Sequence, residues 1–488
     1  MLAFFLVLIP WIGLALFLLP KAWVKAGAVV LALVEVLLFA RALVAPVGKS
    51  LGTVDWNWIP SLGVHFHLSL DGLSLFLVGL ATVITLAAVL TSPRDRGAAY
   101  YFWLLLAEST AIGVFTALDL VTFYVFWEVV LVPVFFLLGG WAIGPARRTA
   151  LKWLIMNLFG SLFMLIGVVA LGVVHAQETG HLTFQLASLA HTTLVPAVAP
   201  WVFLSFLVAF IIKAPLWPLH GWMPPAYSDA PAPVTAVISG VLSKLGVFAM
   251  VRILVPLFHV EMAQAEPWLM ALAAVGLVYG AELALRQKDV KMVAAYGSLS
   301  HMAMMALGIF TLTQAGLVGA TFYMVAHGVM LGGVFLILGW YEDRTGSREL
   351  RTLGGLNQAV PKLTVWFQIF ALATLGLPGL PGFAGEYMIF QGLIQSNVTV
   401  AVVAGVILVV AAWYMLRLFQ GAMQGPRAPG RAPGDLTTPQ VGLIGALGLL
   451  VLVLGIWPAS VTSHLPTLAP SGVHQAAQAA ARKGGERA

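Results

Sequence analysis

Stretches of about 20 apolar residues recur from Leu2 to Trp457, each closed by a short polar break, and that is the length a helix needs to cross roughly 30 Å of hydrocarbon. Few other folds are open to such a chain. Residues of the hydrophobic class make up 60% of it and charged residues only 9%, too little polar surface to cover a water-soluble globule. Lipid is therefore the main solvent, and helices that satisfy their own backbone are the expected elements. The first span has no basic region before it and no small-residue cleavage site after it, so it reads as a retained helix and not a removed signal peptide. The absence of cysteine excludes disulfides, cysteine-ligated iron–sulfur clusters and thiolate zinc sites. No glycine fingerprint for a dinucleotide or a phosphate stands at a strand-to-helix junction. The net charge of +6 is explained by topology and does not point to nucleic acid.

Hydropathy places helices near 2–20, 27–45, 71–92, 99–117, 118–141, 149–175, 198–222, 231–256, 266–286, 291–312, 314–341, 361–396, 398–422 and 437–457. Basic residues then alternate between loops. Lys21 with Lys25, Arg94 with Arg96, and Arg147 and Arg148 with Lys152 share one side. Arg286 with Lys288 and Lys291, Arg344 with Arg348 and Arg351, and Arg427 with Arg431 share it too. That side is cytoplasmic by the positive-inside rule, and both termini come out external. Beyond Trp457 an Ala-, Gly- and Pro-rich tail carrying Arg482, Lys483 and Arg487 is expected to be mobile.

Two spans are interrupted alike: KAPLWPLHGWMPP around Pro215 and LGLPGLPGFAGE around Pro378. Proline removes a donor and clashes with the preceding turn, so each break exposes carbonyls that protein or water must satisfy. Paired broken helices point to a transport path, with kinks that serve packing as the alternative. Five spans separate each break from its counterpart, which divides the chain into N-terminal spans (1–98), a first five-helix repeat (99–256), a second (257–425), and a last span with the tail (426–488).

Ionisable groups at helix centres cost about 2.5 to 3.5 kcal/mol each on insertion scales, so their positions matter more than their number. Glu128, Lys213, Lys244, His301 and His327 lie near the centres of their spans, and Glu386 follows the second break. Left unpaired, these would cost on the order of 15 kcal/mol together, so they must face one another or water. Desolvation disfavours the charged form of a carboxylate or an ammonium, and closeness of the two restores it. A Glu and Lys of adjustable separation, such as Glu128 and Lys213, therefore titrate as a unit. Lys244 and the histidines extend the series, histidine being the side chain that titrates nearest neutrality without help. Structural alternatives stand beside each reading: a buried salt bridge for the Glu and Lys residues, and interhelical hydrogen bonds for the histidines. Glu108 and His220 are supporting candidates, while Glu282 and Arg252 read as snorkelled or interhelical partners. His65 and His67 share a strand face, but two histidines are a weak metal signal.

At these residues the chain resembles a known family. GVFTALDLVTFYVFWEVVLVPVFFLLGGW (113–141), FIIKAPLWPLHGWMPPAYSDAPAPVTAVISGVLSKLGVFAMVRIL (210–254) and KDVKMVAAYGSLSHMAMM (288–305) are similar to the antiporter-like membrane subunits of NADH:quinone oxidoreductase. The carboxylate in GLPGFAGEYMIF points to the branch called chain M, or subunit four. The resemblance implies an all-α membrane protein of about fourteen transmembrane helices with two inverted five-helix repeats. It implies a redox-inert, proton-translocating subunit in a bacterial inner membrane or an equivalent energy-coupling membrane. The family's essential glutamate matches Glu128, its paired lysine Lys213, its central lysine Lys244 and its exit-side carboxylate Glu386; His301 and His327 fall at polar axis positions. NADH, FMN, iron–sulfur clusters and quinone are implied in partner subunits, and neighbouring antiporter-like subunits as lateral partners. A multisubunit cation/proton antiporter is the alternative, and a scaffold with inert buried ion pairs a third reading.

Overall fold

A computed structural model describes residues 1–44, 51–350, 354–426 and 434–468. Arg351, Arg427, Arg431 and residues 469–488 of the expected mobile tail lie outside the described residues, while its start, 458–468, is described and holds a short helix at Ala459–Thr462. Helix α1 spans Leu2–Leu18 and α2 Lys21–Leu43; a β-hairpin of β1 (Leu51–Ile59) and β2 (Val64–Leu70) follows. Next come α3 (Gly72–Thr91), α4 (Ala98–Thr116), α5 (Leu120–Trp141) and α6 (Ala146–Thr179). Helix α7 is broken into Ala199–Lys213 and Met223–Asp229. After it run α8 (Ala232–Leu257), α9 (His259–Arg286), α10 (Val290–Phe310) and α11 (Gln314–Thr345). Helix α12 is broken into Pro361–Thr374 and Pro381–Ser396, and α13 (Val398–Met423) and α14 (Thr438–Ile456) complete the bundle. Eleven of these helices are continuous, long and apolar enough to span a bilayer; with α1 and the two broken helices the expected fourteen are present.

Burial sorts the helices into layers. The apolar windows of α8 and α11 are 100% buried within the chain, whereas that of α2 is only 22% buried and turns most of its surface outward. Helices α3, α4 and α10 pack around the two inner ones. The close approach of α8 to α11 depends on two glycines, since a Cβ at Gly328 would sit 2.6 Å from the Gly240 carbonyl oxygen.

Both breaks have local causes. Pro215 cannot give an N–H to Ile211, so the Ile211 carbonyl takes Leu216 N–H instead (3.0 Å). That leaves the Ile212 carbonyl free, and the Trp222 indole N–H donates to it at 2.8 Å. In α12 the chain turns through Gly376 (φ +74°) and Gly379 (φ +88°), a left-handed geometry that favours glycine. A milder discontinuity falls at Val130 in α5, where Pro133 has no N–H to offer the carbonyl one turn back.

Two expectations shift. The segment 46–70, expected as an external loop, holds the hairpin, which Leu118 N–H ties to the bundle by donating to the His67 carbonyl (2.9 Å). Lys21 and Lys25, expected before the second span, lie inside α2. Lys25 lays its stem along the bundle and donates to Leu90 O (2.8 Å) and Ser92 O (2.6 Å) at the end of α3. The basic residues expected to share one side make specific ties: Lys291 pairs with Glu342 (2.7 Å), Arg348 with Asp289 (3.2 Å), and Arg344 donates to Gln440 (2.9 Å).

Arg252 is an interhelical partner, as expected, held bidentately by Asp71 (2.6 and 2.7 Å), which also caps α3 through Ser74 N–H. Asp71→Ala removes the cap and strands the guanidinium, at a cost of about 3 kcal/mol. Thermal unfolding of the purified protein in detergent checks this, and Arg252→Met in the same background should recover most of the loss. An unchanged midpoint in Asp71→Ala would contradict the assignment.

Candidate functional site

Lys244 lies on the inner helix α8 between two widened π-helical turns, Ile238–Leu242 and Met250–Leu254. In the first, Ser243 N–H bonds to Ile238 O (3.0 Å), one residue further back than an α-helix allows, and this releases the Ser239 carbonyl. Lys244 Nζ donates to that carbonyl at 2.5 Å, to Ser243 Oγ at 3.1 Å and to His327 Nδ1 on α11 at 2.9 Å. An ammonium has three donors, and all three are engaged without a carboxylate. Because His327 Nδ1 accepts, its proton is assigned to Nε2, which is buried and has no hydrogen-bond partner.

A second cluster begins beside it. The ring of His301 on α10 lies 5.4 Å from that of His327, centroid to centroid. Tyr323 O–H on α11 donates to Glu386 Oε1 at 2.8 Å, so its oxygen is left to accept from His301 Nδ1–H at 2.7 Å. His301 Nε2 in turn accepts from Tyr414 O–H on α13 at 3.2 Å. One continuous donor direction therefore runs from Tyr414 through His301 and Tyr323 to Glu386. Glu386 docks against the α12 break, where Gly376 is required twice over: its φ is left-handed, and a Cβ there would collide with Glu386 Oε2.

Lys213 and Glu128 form a third group. Lys213 ends the first half of α7, where the negative end of the helix dipole favours a positive charge. Its Nζ is buried without a hydrogen-bond partner and sits over the rings of Trp127 (5.0 Å) and Trp153 (5.3 Å). Such a desolvated cation–π contact contributes about 2 kcal/mol. Glu128, on α5 next to Trp127, has Oε1 buried and unpartnered. No closed ion pair joins the two among the described residues. Lys213 thus rests on the ring of the residue before Glu128 and not on its carboxylate.

The structure gathers Lys244, His301, His327 and Glu386 across α8, α10, α11 and α12, and leaves gaps between His327 and His301 and between Lys213 and Lys244. Glu108 is buried on α4, with neither oxygen hydrogen-bonded to any of these groups. His220 sits in the α7 break with its ring edge against Tyr279 (5.1 Å), also apart from them. His65 and His67 point to separate partners, Asp55 (2.6 Å) and Gln185 (3.3 Å), and Glu282 pairs with Arg286 on its own helix. Sequence reasoning missed Tyr323 and Tyr414. Tyr323 lies one turn before His327 on the same helix face, a signal available from spacing alone.

A family described as NADH:quinone oxidoreductase/Mrp antiporter, transmembrane, matches residues 117–411. Over 445 residues the chain is 37% identical to NADH-quinone oxidoreductase subunit M of Mycobacterium tuberculosis, covering 83% of this chain and 80% of that one. It matches a chain of respiratory complex I from Thermus thermophilus with bound NADH at 33% identity and a TM-score of 0.88, over 96% of this chain and 99% of that one. A chain of the Mrp complex from Dietzia sp. DQ12-45-1b shares the fold, with a TM-score of 0.86 and 21% identity over 97% of this chain and 98% of that one.

Tyr323→Phe leaves Glu386 Oε1 and His301 Nδ1 unpaired, at an expected cost of about 1 to 3 kcal/mol in stability. A thermodynamic cycle with Glu386→Gln measures how much of that belongs to the Tyr323–Glu386 contact. Strict additivity of the two substitutions would mean the contact carries no energy.

Proposed function

The chain belongs to the NADH:quinone oxidoreductase/Mrp antiporter family of membrane subunits, and from that premise we propose that it is the proton-translocating subunit M of an NADH:quinone oxidoreductase. It is a multi-pass protein of the bacterial inner membrane whose partners are the other membrane subunits, neighbouring antiporter-like ones among them. In this reading the subunit is itself redox-inert, having no cysteine to hold a cluster, and NADH, FMN, iron–sulfur clusters and quinone belong to partner subunits. The observation that carries the proposal is the buried polar run from Lys244 through His327, His301 and Tyr323 to Glu386, set across inner helices where each such group is costly.

Each residue has a role in this proposal. Glu128 and Lys213 are the uptake switch, and their open arrangement supports it: when Lys213 moves toward Glu128 an ion pair closes and its charge is held, and when it withdraws to the tryptophans that support is lost and a proton is released. Lys244 is the central relay and the histidines carry the proton onward. Glu386, fed by Tyr323, is the exit-side acceptor. Moving one charge against 100 mV costs about 2.3 kcal/mol, which is within the range of a changed Glu–Lys separation in a low-dielectric site. We also propose that 99–256 and 257–425 are inverted repeats, each with one broken helix. The cation/proton antiporter reading is disfavoured by the lower identity to the Mrp chain.

Glu128→Gln and Lys213→Ala should each abolish or sharply lower proton pumping in membrane vesicles while the complex still assembles and oxidises NADH. Normal pumping in both would sink the switch. Glu386→Gln should lower the proton-to-electron ratio, and an unchanged ratio would remove Glu386 from the path. Co-migration of the chain with NADH-oxidising activity after mild solubilisation tests membership of the assembly itself. Migration apart from that activity, with sodium-dependent proton exchange, would favour the antiporter.

A further inference from the structure

Glu35 was passed over in the sequence although it lies mid-span on α2, a helix that otherwise faces outward through Val30 and Leu37. It is 0% exposed, on an inward stripe with Val24, Ala28, Ala32 and Ala42. Helix α4, which packs against α2, carries Glu108, also 0% exposed and within electrostatic reach of Glu35. All four carboxylate oxygens of these two residues are buried without a hydrogen-bond donor.

Among the described residues no cation pairs with them. Helices α1 and α3, which pack on both α2 and α4, carry no Asp, Glu, Lys, Arg or His. The cations on other elements against α4 are engaged elsewhere: Lys244 with its three partners, Arg252 with Asp71, His65 with Asp55 and His67 with Gln185. Glu128 and Tyr124 on α5 add no positive charge. Nearby hydroxyls are turned away, Ser109 donating to Val7 O (2.6 Å) and Thr110 to Leu106 O (2.9 Å). Two neighbouring carboxylates in such surroundings cannot both be ionised, whereas one proton held by the pair leaves a single charge. A hard divalent cation takes six or more oxygen ligands, more than this site offers, and the described residues hold no third His, Cys, Asp or Glu that completes a metal cluster.

We infer that Glu35 and Glu108 form a one-proton carboxyl pair, a proton-binding site between α2 and α4 that is separate from the Lys244–Glu386 run. The site holds its proton whether or not the chain pumps, so it stands apart from the function proposed above. Its total charge is −1, and the bound proton is the only counter-charge within the pair.

The test uses the intact membrane complex. Infrared spectroscopy counts protonated carboxyls by their carbonyl stretch, and Glu35→Gln/Glu108→Gln should remove the intensity of one. Loss of none, or of two, overturns the shared proton. Dicyclohexylcarbodiimide adds a protonated carboxyl across a C=N bond, oxygen to carbon and proton to nitrogen, and peptide mass spectrometry then locates the adduct. Labelling is expected on Glu35 or Glu108 but never on both in one chain, at a rate unaffected by sodium. Double labelling, or protection by sodium, overturns the proposal, the latter in favour of a monovalent-cation site.

Discussion

The Lys244 ammonium stays in the middle of a fully buried helix because that helix gives up a carbonyl for it. An α-helix satisfies its own backbone and has nothing to offer a charged side chain, and hydrocarbon offers nothing either. The widened turn at Ile238–Leu242 resolves the conflict by shifting one backbone bond back a residue, so that the Ser239 oxygen becomes a ligand for the lysine. The other polar groups repeat this arrangement on a larger scale. Lys213 sits where α7 ends early, and Glu386 packs against the left-handed turn that splits α12. In this bundle, irregular backbone is found where charge must be held.

That correlation explains which parts were legible in the sequence. Proline marks the α7 and α12 breaks openly, and an ionisable residue at the centre of an apolar span stands out because its cost is known in advance. Glu128, Lys213, Lys244, His301, His327 and Glu386 could all be picked out on that ground. The π-helical turns beside Lys244 carry no such mark, since neither contains a proline. Tyr323 and Tyr414 escaped notice because a neutral phenol costs little in a membrane helix, and their importance comes only from the groups they link. Glu35 escaped although its position met the same criterion as Glu128.

Separation was the other thing the sequence could not supply. Glu128 and Lys213 were expected as a pair, and they are neighbours, yet the ammonium rests on two indole rings and not on the carboxylate. Trp153 comes from α6, so that cradle needs tertiary structure to form. The break between His327 and His301 is of the same kind: both residues were foreseen, while the 5.4 Å between their rings is set by how α10 and α11 are held.

The glycine contact between Gly240 and Gly328 has a mechanical meaning. Two backbones touching with no side chain between them have no soft layer to compress, so α8 and α11 behave there as one stiff keel. Large excursions are left to the jointed helices on either side, α7 and α12, each cut by its own break. The axis is thus stiff at this central contact and jointed at its two ends, and on the proposed function the coupling across the middle is carried by a rearrangement of protons and hydrogen bonds.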